Sequence, residues 1–150
     1  MNIDMSTMKN SISTLGIIAM IPLLGVLLLL YLLLATTGAN FGAGAEGLFS
    51  ITMMSGARWS PTLGDLFVIM GTILLFVEIV KSTRISVVSN IENSLSMLVF
   101  IIYLVSFIVM PAAGTSTFLI LTLMSLLDSM GGFIVSSISA RRDISVNPVI

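Results

Sequence analysis

Apolar residues run along this chain in four blocks, at about 15–35, 63–80, 91–110 and 117–138, separated by short stretches of Gly, Ser, Thr, Pro and charge. Blocks of roughly 20 apolar residues match α-helices crossing a hydrocarbon core about 30 Å thick. Helices are required at that depth, because extended backbone in lipid leaves amides and carbonyls unpaired. The block ends agree. Pro61, Thr62 and Asp65 open the second block with capping-box spacing, and Ser89 with Glu92 repeats that spacing at the third. The third block ends near Met110 and Pro111, and the fourth begins after Gly114, Thr115 and Ser116 and stops before Arg141 and Arg142. The pattern predicts an all-α membrane protein, a single integral domain over 1–150 built as a four-transmembrane-helix bundle.

Between the first two blocks the periodicity changes. After Thr36 and Thr37 the segment 38–47 is rich in glycine, and we expect it to be flexible. Leu48, Phe49, Ser50, Ile51, Thr52 and Met53 are strand-prone, and Ser55, Gly56 and Ala57 read as a turn into Arg58 and Trp59. A short external β-hairpin is predicted here. Trp59 then falls where indole favours the headgroup boundary, so it reads as an interfacial anchor rather than a ligand platform. The loops at 82–89 and 111–116 are too short to house a catalytic domain.

Polar residues within the blocks fall on faces. Ser125, Asp128, Gly132, Ser136 and Ser139 are spaced by three and four, which gathers them on one side of a helix. Gly64, Gly71 and Glu78 recur at sevenfold spacing with Thr72 adjoining, and Glu92, Ser96, Tyr103 and Ser106 align on the third block. Small and hydroxyl residues let helices approach and hydrogen-bond, so helices two to four are expected to pack these stripes together. The first block has only Gly16, Pro22, Gly25 and Tyr31 among its leucines, and is expected at the periphery.

Asp128 is the most costly residue in the pattern. A carboxylate at mid-bilayer costs about 2.5 to 3.5 kcal/mol on insertion scales and normally faces a partner or a cavity. Folding helices three and four back at 113 and 114 would put residue 128 level with 99, with Tyr103 leaning toward it and Thr72 at a similar depth. The candidate intramembrane polar site is therefore Asp128, Tyr103, Thr72 and Ser125. It reads first as a register-fixing hydrogen-bonded group, and secondly as a proton or ion relay. Glu78, three residues before Lys81, reads as an interfacial pair, and Asp65 as a helix-start acid. These two are the candidate membrane-end acids. Asp65, Asp128 and Glu78 are expected to be dispersed through the membrane from one side to the other.

Composition and charge confirm the class and narrow the chemistry. The chain is 57% hydrophobic and 9% charged, with a mean hydropathy of +1.16, far too apolar for a soluble domain of this length. Lys9, Lys81, Arg84, Arg141 and Arg142 fall on one side of the expected topology and Arg58 alone on the other, which places both termini in the cytoplasm. A cleaved signal peptide competes for the first block, since Lys9 supplies a basic flank, but an apolar core this long exceeds the usual 7–15 residues. A net charge of −1 gives no nucleic-acid footprint. Cysteine and histidine are absent, which removes thiolate and imidazole metal sites, disulfides and Ser-His or Cys-His nucleophile pairs. The 11 methionines are scattered and suit packing. No cofactor and no metal site is expected.

The segments Ser55, Gly56, Ala57, Arg58, Trp59 with Thr62, Leu63, Gly64, Asp65, then 111–118, and the ending Ala140, Arg141, Arg142, Asp143 resemble a family of uncharacterised small inner-membrane proteins of alphaproteobacteria. The resemblance covers most of the chain beyond the first block. It implies a four-helix protein of the bacterial cytoplasmic membrane and brings no catalytic residues. Function is expected to be that of a non-enzymatic accessory or scaffold subunit, in contact with the lipid bilayer and with other membrane proteins or itself. The alternative is a small oligomeric proton- or ion-coupled transporter or channel using Asp128.

Overall fold

The computed structural model of the protein describes residues 21–82 and 87–145, with side chains for 21–82 and 91–134. Its helices are α1 (Leu23–Thr36), α2 (Leu63–Ser82), α3 (Val87–Val109) and α4 (Ser116–Ser145), with strands β1 (Ile51–Thr52) and β2 (Arg58–Trp59) between α1 and α2. Of these, α2, α3 and α4 contain stretches long and apolar enough to cross a membrane. The 14 residues of α1 cover about 21 Å at 1.5 Å each.

Local chemistry sets the ends. Pro22 lacks an amide hydrogen and stands extended before α1, so the helix begins after it; the sequence reading had run a helix through this proline from residue 15. Residues 15–20 of that block lie outside the described residues. At the other end Gly38, with φ +89°, lets its amide and that of Ala39 reach back to the Ala35 and Leu34 carbonyls. The capping box expected at α2 is present: the Thr62 amide donates to Asp65 Oδ2 at 2.8 Å, and the Asp65 amide donates to Thr62 Oγ1 at 3.2 Å. The Ser89 side chain, expected to open the third helix in the same way, lies outside the described residues. Thr115 caps α4 by accepting from the Phe118 amide at 3.2 Å. Contrary to expectation, α4 does not stop before Arg141 and Arg142 but continues through Ser145.

The hairpin forms as the sequence predicts. Ile51 pairs with Trp59 and Thr52 with Arg58, antiparallel. Gly56, at φ +82°, takes the left-handed position that a three-residue hairpin loop requires, and the Met53 amide closes the loop on the Ala57 carbonyl at 2.9 Å.

Helices α3 and α2 both lie against α4, while α2 and α3 scarcely touch each other. The first helix fills the space they leave. This corrects the expectation that it lies at the periphery: Leu24, Leu27, Leu28 and Tyr31 are among the most buried side chains. Its face could not be read from a run of leucines, because an all-round apolar helix has no polar side to orient it. Tyr31 stacks on Phe41 with ring centroids 4.1 Å apart and meets Phe118 and Phe67 at 4.8 and 5.6 Å. Its hydroxyl lies 2.8 Å from Thr115 Oγ1. Phe41 belongs to the glycine-rich segment expected to be flexible; its burial in this aromatic cluster pins that segment to the bundle instead.

Glycines let the helices approach. A Cβ on Gly71 would stand 2.7 Å from Leu121 of α4, and one on Gly64 would stand 2.5 Å from Thr117 Oγ1. Gly131 faces open space by the same measure. Gly71→Val is therefore expected to force α2 off α4 and destabilise the protein by about 1–3 kcal/mol. Gly131→Ala is expected to stabilise it by about 0.5–1 kcal/mol through helix propensity. Thermal unfolding of the purified chain in detergent, followed by circular dichroism, measures both.

Candidate functional site

A small cavity of about 20 Å³ lies toward the end of the bundle away from the hairpin, walled by Glu78, Lys81, Asn93, Ser96, Asp128 and Gly132, with Ser82 and Glu92 at its margin. That volume accommodates about one water molecule. Three helices supply the walls. Gly64 beside Thr117 fixes the relative height of α2 and α4. Glu78 then lies 14 residues below Gly64 and Asp128 11 below Thr117, a difference of about 4.5 Å at 1.5 Å per residue, which two side chains close.

Two acids of the cavity, Asp128 and Glu78, have structural partners. The Ser96 hydroxyl donates to the Asp128 carboxylate, and Asp128 is only 6% exposed. Glu78 Oε1 accepts from the Leu23 amide, one of the unpaired donors at the start of α1. Glu78 Oε2 pairs with Lys81 Nζ at 3.3 Å, and the same ammonium reaches the Ile21 carbonyl at 3.5 Å. A negative carboxylate at a helix N-terminus is also favoured by the macrodipole. Glu78 thus ties α2 to the beginning of α1 while remaining 6% exposed.

The expected constellation is rearranged. Asp128 and Ser125 are both buried, but Tyr103 does not reach Asp128. Its hydroxyl donates to the Leu24 carbonyl at 3.0 Å, an acceptor on the helix the sequence reading had placed at the edge. Thr72 is also outside the site. It is exposed on α2 and its hydroxyl donates to the Val68 carbonyl of its own helix at 2.8 Å. The acids are less dispersed than expected, because Glu78 and Asp128 line one cavity. Asp65 stays apart in its capping box at the hairpin end, exposed. Trp59 is 40% exposed on β2, with its ring against Phe49 at 6.1 Å.

Asn93, packed against Gly132, has no counterpart in the sequence analysis, and Ser96, placed there on the polar stripe of the third block, is the partner of Asp128 in place of Tyr103. The signal for that pairing was Pro111. A proline that opens a 3-10 turn at Pro111–Ala113 centres the reversal near residue 112, which sets 128 level with 96 rather than 99. Two buried polar atoms, Asn93 Oδ1 and Ser125 Oγ, have no hydrogen-bond partner among the described residues. Asn93 Oδ1 instead lies where a Cβ on Gly132 would come within 2.6 Å of it, so glycine is what admits the amide. Among the described residues no group of three or more acids is arranged to hold a metal ion.

Beside this cavity, α3 and α4 form a larger apolar one of about 320 Å³, lined by Met97, Phe100, Leu126, Met130, Phe133 and Ile134 with Asn93 and Ser129 in its wall. No protein-family model, no curated protein and no solved structure matches the chain.

Removing Glu78 leaves the Leu23 amide and the Lys81 ammonium without their carboxylate. Glu78→Ala is expected to cost about 2 kcal/mol, in the range of a lost cap and charge-assisted hydrogen bonds. Glu78→Gln keeps an oxygen for the Leu23 amide and is expected to cost less than about 1 kcal/mol. Equilibrium unfolding of the two variants in the same detergent gives the comparison.

Proposed function

We propose that the protein is a multi-pass membrane protein of a bacterial cytoplasmic membrane, with both termini cytoplasmic, acting as a non-enzymatic accessory or scaffold subunit. The observation that carries this reading is that the acids inside the bundle hold its helices together: Glu78 joins α2 to α1, and Asp128 joins α4 to α3. A polar group so engaged fixes the register and spacing of a bundle and leaves the outer faces to neighbours. The three long apolar helices support the membrane setting. So does the resemblance to small alphaproteobacterial inner-membrane proteins, with the α1 block as a fourth crossing. The apolar cavity between α3 and α4 is where a helix of another membrane subunit would insert large side chains, since Met130 and Phe133 at its rim are more than half exposed.

A second reading is favoured by one observation. Glu78, Glu92 and Asp128 border a water-sized cavity together with Lys81, an arrangement suited to passing a proton or small cation, with an oligomer completing the path.

Two experiments separate these. Photo-crosslinking side chains placed at 130 and 133 of the full chain in native membranes are expected to capture one stoichiometric membrane protein. The same groups at Ile73 and Phe76, on the exposed face of α2, are expected to react with lipid. Capture at all four positions alike would remove the cavity as a docking place. Asp128→Asn retains an acceptor for Ser96 and is expected to retain that partner in a mild-detergent pulldown. Proton or cation flux in proteoliposomes that the wild type carries and Asp128→Asn loses would replace the scaffold reading with the second.

A further inference from the structure

The hairpin has two chemically distinct faces. Successive strand residues point to opposite sides of a sheet, and directly paired residues share a side. Ile51 and Trp59 are paired, so they share one face, and Phe49 and Met53, two residues to either side of Ile51, join them. The Phe49–Trp59 ring contact confirms the placement. Thr52 and Arg58 share the other face with Ser50 and Ser60. One side is thus entirely apolar and the other polar with a single cation.

The bundle does not cover the apolar side. Phe49, Ile51, Met53 and Trp59 are each 40% to 51% exposed, and Met54 at the tip is fully exposed. The base of the hairpin, however, is fixed to the bundle. The Leu48 amide donates to the Pro61 carbonyl at 2.9 Å, Pro61 is fully buried, and Gly47 packs so closely on Ser60 that a Cβ there would stand 2.9 Å from the serine Cβ. Trp59 stands four residues before the first residue of α2, and four extended residues reach at most about 14 Å. A headgroup layer is about 5–7 Å thick on each side of the hydrocarbon core. The tether therefore holds Trp59 within about 14 Å of the first turn of α2, about two headgroup thicknesses, at one end of any bilayer that α2 crosses.

We propose that the apolar face of this hairpin, Phe49, Ile51, Met53 and Trp59, lies in the headgroup boundary of the same bilayer that the helices cross, so that its partner is a lipid surface. The sheet acts as an amphipathic foot beside α2, with Thr52 and Arg58 turned to water and phosphate. An aromatic ring pair on an apolar face is suited to that boundary, where indole is half in contact with acyl chains and half hydrated. The proposal rests on the membrane reading above.

Trp59 is the single tryptophan of the chain, which makes it an intrinsic reporter. The full-length protein is reconstituted in phosphatidylcholine and phosphatidylglycerol vesicles whose acyl chains carry bromine either near the carbonyl or near the methyl end. Shallow bromine is expected to lower Trp59 emission about twofold, as for a ring seated at the acyl boundary, with deep bromine and aqueous iodide having weaker effects. Ile51→Ser is expected to reverse the order in favour of iodide, and Thr52→Ser, on the opposite face, to leave it unchanged. Strong iodide quenching without bromine quenching, in protein that stays with the vesicles after alkaline carbonate washing, would overturn the proposal while leaving the membrane reading intact. Protein released by the wash would instead remove the membrane reading itself. Shielding from iodide that grows with the protein-to-lipid ratio, without bromine quenching, would assign the face to a second copy of the chain and overturn the lipid partner.

Discussion

Close approach of helix backbones is the constraint on which this fold depends. Three of the helices are long and apolar enough to cross a membrane, and between helices in lipid, contact gains little from leaving the solvent, so that packing and interhelical hydrogen bonds supply the association. Both fall off steeply with distance. Gly64 and Gly71 let α2 settle against Thr117 and Leu121, Gly132 admits Asn93 of α3, and Gly25 lies where a Cβ would meet Val99 at 3.0 Å.

The polar cavity is one consequence. With the helices held at these heights, Asp128 falls opposite Ser96 and Glu78 meets the beginning of α1. The proline that starts α1 partway along the bundle creates an unpaired amide at Leu23, and Glu78 resolves it. A carboxylate that is costly in an apolar interior and a helix start that is costly without a cap each remove the other's penalty. The same economy appears at the hairpin end, where Thr115 serves both the amide of Phe118 and the hydroxyl of Tyr31.

The two ends of the bundle differ in character. The hairpin end is closed by aromatic rings, with Tyr31 against Phe41, Phe67 and Phe118 and Phe41 against Phe67, and by loop residues tied to helix starts. The opposite end holds the half-buried Glu78–Lys81 ion pair and the water-sized cavity.

The sequence by itself determined the elements whose causes are local. Block length and apolar content marked the helices, the spacing of Thr62 and Asp65 marked the start of α2, and Gly56 before Arg58 and Trp59 marked the hairpin, because each depends on residues within one turn or loop. The stripe of Gly64, Gly71 and Glu78 was also legible, since helical periodicity alone collects it on one face. Only the tertiary structure decided which neighbour each stripe meets. Tyr103 turns to the Leu24 carbonyl rather than to Asp128, Thr72 faces outward, and the leucine-rich first helix lies in the core. These outcomes depend on helix heights and on which face of an all-apolar helix turns inward. Both are set by steric fit between residues far apart in the chain, and a pattern of apolar and polar positions contains no record of that fit.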